Sequence, residues 1–338
     1  MTTCSAEPTA TVAIPVYNSA TTLADCLRSV MAQTLSDIEI LVADDGSTDA
    51  SAAVVLDFMR QDPRIRLLRM PDNGGKPRAM NRMADEARGK WFAVLDADDT
   101  YQPERLARLI EAADAAGVEM AADNLLYYDS GAGCAVQTAF EPTMAAWTAT
   151  KADFLANSNP FATFDFGILK PVMRREFLLR YRIRYQEDAR LSEDFYYLMD
   201  FFVAGGRARI IAEPLYRWTQ PFGAVSRRWT ETGSGPWRYD YRNALRTNQQ
   251  FIAKMERSGE ASMVAMLRER ERKYISMIHY IDAQRAAAEH RILAAALGII
   301  SHPSTYGLLA RRVVGRGVRA LRRRVGRDQP IAARGAIQ

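Results

Sequence analysis

The residues whose types and spacing can do chemistry are two acidic pairs, an acid-rich turn and a glycine-flanked basic turn. Asp96-Ala97-Asp98 falls at the end of the apolar run Trp91–Asp99 (WFAVLDADD). Two carboxylates one residue apart repel, and an unbroken strand would send them to opposite faces. The arrangement makes sense where the strand is ending and the acids do different work. A divalent cation such as Mg2+ or Mn2+, with carboxylate and phosphate oxygens as ligands, would remove the repulsion. A solvated acidic loop is the plainer alternative. Glu193-Asp194, after Ser192, opens a helical pattern. A helix start favours acids for its own sake. It would also keep Asp194 ionised, as a general base must be before it accepts a proton.

Asp44-Asp45-Gly46-Ser47-Thr48-Asp49 lies between a strand pattern and a helix pattern. It reads either as a turn with an N-cap or as a nucleotide pocket, its carboxylates accepting from a base N–H or a ribose hydroxyl. Asn73-Gly74-Gly75-Lys76-Pro77-Arg78 combines a glycine turn, two cations and a helix start, the ingredients of an anion site. Asn81 lies one helical turn beyond Arg78 and could face the same site. Tyr216-Arg217-Trp218 and Ser226–Trp229 are aromatic and basic. They suit a diphosphate held by arginine forks and a stacked sugar, or equally a packed surface loop. The three histidines are isolated and take no catalytic role.

The elements that must position these residues alternate. Strand patterns at Thr11–Tyr17, Ile38–Asp45, Ile65–Met70 and Trp91–Asp99 are separated by helical patterns at Thr21–Gln33, Asp49–Arg60, Pro77–Ala87 and Pro103–Ala116. Runs apolar on both faces suit parallel strands covered on both sides. The pattern predicts a doubly wound α/β sheet, in which ligands bind at the carboxyl ends of the strands. The acidic motifs all fall there. Residues 130–228 are less regular, with a helical pattern at Ser192–Ala204 and a strand-like piece at Arg209–Trp218; Pro236–Leu297 is helical and mixed in charge.

The 338 residues are 48% hydrophobic and 25% charged, which is a globular composition. No apolar run, that around Leu293–Ile300 included, is long enough to span a membrane. The N-terminus lacks the pattern of a secretory signal, so the expected location is the cytosol. Three scattered cysteines show no zinc spacing. The net charge of +5 is unevenly spread: the last 28 residues carry nine arginines and one aspartate. Within 308–338, Val314, Val318, Leu321 and Val325 recur at helical spacing with arginines turned away. That pattern suits an anionic membrane surface, although a merely solubilising tail has the same composition. No stacking platform or recognition module accompanies it, so no nucleic-acid partner is expected.

Taken together and in order, these motifs resemble the family-2 glycosyltransferases of the GT-A fold, over residues 11 to about 228. Ala13-Ile14-Pro15-Val16-Tyr17-Asn18 is similar to the opening strand and nucleotide turn, Asp44–Asp49 to the second-strand signature, and Asn73–Asn81 to the N-x-G…A-x-N segment. Asp96–Asp99 is similar to the metal-binding DxD, and Glu193-Asp194 to the ED motif. The resemblance implies a Rossmann-like mixed sheet with helices on both faces. It implies a transferase domain at 1–228, with a nucleotide-sugar half at 1–129 and an acceptor half at 130–228, followed by a helical region at 229–338. Pro15, Tyr17, Asn18, Asp44 and Asp45 would line the uracil and ribose site. Asp96 would contact ribose or sugar, Lys76, Arg78 and Arg217 would lie near the nucleotide, Asp98 would bind Mn2+ or Mg2+, and Asp194 would be the base. Some relatives add a metal-binding His after the ED helix. Thr219-Gln220-Pro221-Phe222 has none, so the metal would rely on Asp98, diphosphate and water.

The segments GILKPVMRREFL and SEDFYYLMDFFVAGG resemble bacterial exopolysaccharide transferases, including succinoglycan-type ones. That resemblance implies an inverting transfer of glucose from UDP-glucose to a polyprenyl-diphosphate-linked saccharide at the cytoplasmic face of the inner membrane, giving a β-glycoside. Another UDP-sugar serving lipopolysaccharide or capsule is the alternative. Asp96–Thr100 also satisfies the DxDxT of haloacid-dehalogenase-type phosphatases. That motif normally ends the first core strand, however, and here it ends roughly the fourth.

Overall fold

The computed structural model describes residues 7–158, 166–220, 241–291 and 293. The basic tail 308–338 and the stretch Ser226–Trp229 lie outside these residues. The first half alternates strand and helix: β1 (Ala10–Val16), α1 (Leu23–Met31), β2 (Ile38–Asp44), α2 (Ser51–Met59), β3 (Ile65–Arg69), α3 (Lys76–Glu86) and β4 (Trp91–Val94). There follow β5 (Thr100–Tyr101), α4 (Arg105–Ala116), β6 (Met120–Ala122), β7 (Leu125–Asp129), β8 (Cys134–Thr138), β9 (Trp147–Ala149) and α5 (Lys151–Ala156). A 3₁₀ turn at Phe166–Ile168 leads into β10 (Val172–Arg174), α6 (Arg175–Arg180), α7 (Glu193–Val203), β11 (Ala208–Ile210) and β12 (Tyr216–Gln220). Two helices complete the described chain, α8 (Tyr241–Arg257) and α9 (Ala261–Ala288). The chain divides into compact units at 1–267 and 268–338.

An eight-stranded mixed sheet has the order β3-β2-β1-β4-β10-β6-β11-β9. Strands β1 to β4 are mutually parallel, and β10 enters antiparallel between β4 and β6. Every residue of β2 is buried, because both faces of the sheet are covered. Val12, Ile14, Ile40 and Val42 pack with Leu23 and Leu27 of α1, Val55 of α2 and Leu106 of α4. Ala13, Leu41 and Ala43, one residue out of phase, pack with Met80 and Met83 of α3 and with α7 and α8. This is the two-residue alternation of a strand reading two cores at once. A second sheet, β5-β12-β7-β8, stands beside the first.

Two features fix the site. The sequence predicts a strand through Asp99, but β4 stops at Val94. The Asp99 amide donates to the Asp96 carbonyl, and this turn lifts the acids out of the sheet. On the opposite side, α7 is gripped at its start by three successive aromatics. Phe195 stacks on Phe154 at 5.3 Å, Tyr196 on Phe251 at 4.5 Å and Tyr197 on Tyr185 at 4.1 Å. Truncating one such buried ring costs about 3–5 kcal/mol, so the helix start that carries Glu193 and Asp194 is held firmly.

Candidate active site

At the carboxyl end of β4, four charges meet. Lys76 Nζ lies 2.9 Å from Asp96 Oδ1 and 3.0 Å from Asp194 Oδ2. Lys170 Nζ lies 2.8 Å from Asp96 Oδ2 and 2.6 Å from Asp194 Oδ2. Glu193 Oε1 is 3.7 Å from Lys76, and the Tyr185 hydroxyl donates to Asp194 Oδ1 at 3.0 Å. The structure therefore brings together Lys76, Asp96 and Asp194, which the sequence singles out. It adds Lys170 and Tyr185, to which the sequence reading gives no role, although Lys170 lies in the segment GILKPVMRREFL.

Each charge follows from its neighbours. Burial pushes the Asp194 carboxyl up, but Lys170 and then Lys76 outweigh it and hold it below the ordinary aspartate value. The same two ammonium groups overcome burial at Asp96 and take it well below the usual carboxylate range. Burial opposes the charge on both lysines, and the carboxylates around them more than compensate, raising both. Glu193 moves the other way: burial, then repulsion by Asp194, raises it.

A scaffold of buried side chains holds this cluster. Arg105, fully buried, makes a two-pronged pair with Asp123 at 3.0 and 2.7 Å and donates to the Lys170 carbonyl. Its guanidinium lies 4.1 Å from the Tyr101 ring centre and 5.0 Å from that of Tyr216. The Tyr216 hydroxyl donates to Asp99 at 2.6 Å and accepts from the Asp96 amide at 3.2 Å.

The nucleotide-side residues are bound into a second set of turns. Asp45 receives the Gly74 amide at 2.9 Å and the Gly75 amide at 2.7 Å, tying the β2 turn to the glycine loop. Burial raises its carboxyl against those two bonds. Asp44 receives the Ser47 amide at 3.0 Å, and Asn18, at φ +49°, receives that of Thr48 at 2.8 Å. Pro15, at the end of β1, and Tyr17 are partly exposed at the same sheet edge. Arg78 pairs with Asp72 at 2.9 Å and folds across Gly74, where an added Cβ would lie 2.3 Å from its Cδ. Gly75 adopts φ +89° and ψ 160°, a region only glycine enters cheaply.

Two expected neighbours face elsewhere. Arg217 follows Tyr216 on β12 and so points to the other face; its guanidinium lies 4.4 Å from the Tyr128 ring centre. Asn81 is buried and exchanges hydrogen bonds with the backbone of Tyr185, both at 2.9 Å, so it positions the tyrosine that reaches Asp194.

Among the described residues no three His, Cys, Asp or Glu side chains group to hold a metal ion. The charge balance nevertheless fits one. Lys76 and Lys170 face Asp96, Asp194 and, for Lys76, Glu193, whereas burial followed by repulsion from Asp98 and Asp96 drives Asp99 well above the usual range. A hard divalent cation on Asp98, completed by diphosphate oxygens and water, would relieve that repulsion.

The fold is GT-A. It matches TarS of S. aureus in complex with UDP-GlcNAc, with a TM-score of 0.61 over 90% of this chain and 91% of that one at 17% identity. Residues 11–175 match the family model for glycosyl transferase family 2, and this segment belongs to that family. Succinoglycan biosynthesis protein ExoO of Rhizobium meliloti is 36% identical over 65% of this chain, and the aligned part spans 63% of ExoO. Succinoglycan biosynthesis protein ExoU of the same organism is 27% identical over 89% of this chain and 86% of its own length.

Proposed function

We propose that the protein is an inverting glycosyltransferase that moves glucose from UDP-glucose to a polyprenyl-diphosphate-linked saccharide in exopolysaccharide assembly. The observation that carries this reading is the pairing of an ionised Asp194 with Asp96 through Lys76 and Lys170 at the carboxyl end of β4. The likeness to two succinoglycan biosynthesis proteins supports the substrate class.

In this reading Pro15, Tyr17, Asn18, Asp44 and Asp45 bound the uridine pocket at the ends of β1 and β2. Asp96 receives ribose or sugar hydroxyls, and Lys76 and Arg78 stand by the nucleotide. Asp98 holds Mn2+ or Mg2+, which when bound offsets the charge of the departing diphosphate as a Lewis acid. Asp194 takes the proton from the acceptor hydroxyl as its oxygen attacks the anomeric carbon. Attack opposite the departing UDP converts an α-linked donor into a β-glycoside. A carboxylate offers about four acceptor positions. Asp194 uses three of them for Lys76, Lys170 and Tyr185, which leaves room for the acceptor hydroxyl. Among the described residues no helix is long and apolar enough to cross a membrane. The basic segment 308–338 would dock the enzyme on the anionic cytoplasmic leaflet. The test is a donor screen with and without Mn2+, followed by transfer to lipid-linked saccharides of increasing length. UDP-glucose binding with acceptor-dependent UDP release is expected; binding of no UDP-sugar would contradict the reading.

A further inference from the structure

Lys170 is a largely buried charge of the site to which the reaction gives no task. Its side chain is 11% exposed. It stands between the end of the 3₁₀ turn and β10, and β10 pairs antiparallel with β4 at Val172 and Ala93, which puts Lys170 beside the carboxyl end of β4. Its ammonium bridges Asp96 and Asp194 at 2.8 and 2.6 Å. Its carbonyl is held by Arg105, whose other bonds go to Asp123. Lys76 bridges the same two carboxylates from α3, but it is also drawn towards Glu193.

We propose that Lys170 is a positioning residue that ties the base carboxylate of Asp194 to the donor-side carboxylate of Asp96, keeping both in one working geometry. This rests on the reading of Asp194 as the base. Asp96 and Asp194 share two cations at hydrogen-bond distance, so losing one leaves their repulsion offset by a single ammonium group. Lys170 is the less exposed of the two, at 11% against 22%. Lys76 extends from a helix start whose preceding glycine loop is also gripped by Arg190, which donates to the Gly74 carbonyl at 3.0 Å. The groups facing Asp194 are Lys76 from α3, Lys170, Tyr185, Asp96, and Glu193 and Tyr197 from its own helix. Removing Lys170 leaves Lys76 as the sole cation among them, so the Asp194 carboxyl rises.

The experiment compares the full-length wild type with K170M and K170R, using UDP-glucose and Mn2+. It measures UDP affinity, kcat, and kcat/KM against pH. For K170M the expected result is UDP affinity within about threefold of wild type, kcat lowered about 100-fold, and the acid limb of kcat/KM moved to higher pH. K170R should restore the limb and at least about tenfold of the lost kcat, since it returns a cation to the same anchor. A kcat for K170M within about threefold of wild type overturns the inference, as does a fall in kcat with the acid limb unmoved. If K170M does not fold, K170Q and K170R measured in the same way give the same decision. A wild type that binds no UDP-sugar overturns both this inference and the transferase reading, whereas full wild-type turnover with an unaffected K170M overturns this inference alone.

Discussion

At the residue scale, the charge on Asp194 is set by a contest that can be read directly. Burial disfavours the carboxylate, and Lys170 and Lys76 at 2.6 and 3.0 Å outweigh it. A base held below its ordinary value stays ionised until the pH falls through that lowered value. The acid limb of kcat/KM should therefore lie below about 3.9, the ordinary aspartate value, and activity governed by this base should be flat from about pH 7 to about pH 5. A pH–rate profile checks this; an acid limb near pH 6 would mean that Asp194 is not the titrating base. The sign is the same for stability: the contribution of Asp194 is complete above the unfolded value and is lost as the pH falls through the folded one. Asp96, Lys76 and Asp194 are legible in the sequence because each sits at a boundary between readable periods. Lys170 is not. It lies before Pro171 in an irregular segment, and it matters only because β10 inserts beside β4. That pairing joins residues about 80 positions apart and leaves no local mark.

At the scale of elements, the site stands on a turn, a helix start and a buried ion pair. The parallel half of the sheet follows its apolar periodicity closely, with ends shifted by a residue or two. The exception is β4, which stops at Val94 so that Asp96 to Asp99 can turn. The second sheet and the split of Arg209–Trp218 into β11 and β12 are not legible. Short strands in an irregular region depend on distant partners more than on their own pattern. Arg105 opens α4 two residues after Pro103 and is fully buried between Tyr101, Tyr216 and Asp123. Removing one partner of such a pair leaves a buried charge uncompensated. R105M should cost about 3–5 kcal/mol in denaturant unfolding and should also lower transfer by freeing the Lys170 carbonyl. A loss below about 1 kcal/mol would show that the pair is not part of the scaffold.

At the scale of the whole molecule, charge is segregated. The last 28 residues carry nine arginines and a single aspartate, against 45 basic and 40 acidic residues in the chain as a whole. Arginines near an anionic leaflet contribute roughly 1 kcal/mol each. A chain lacking residues 308–338 should bind anionic vesicles more weakly while binding UDP-glucose as before. Co-sedimentation with phosphatidylglycerol-containing liposomes reads the first and calorimetry the second, and undiminished liposome binding by the truncated chain would refute the docking role.

If Asp194 is the base of a UDP-sugar transfer, acceptor-dependent UDP release must separate wild type from D194N. Asparagine keeps the shape of the side chain but cannot take up the acceptor's proton. D194N is expected to bind UDP-glucose about as well as wild type while releasing UDP at least about 100-fold more slowly in the presence of acceptor. Near-normal turnover by D194N would contradict the role of Asp194 as base.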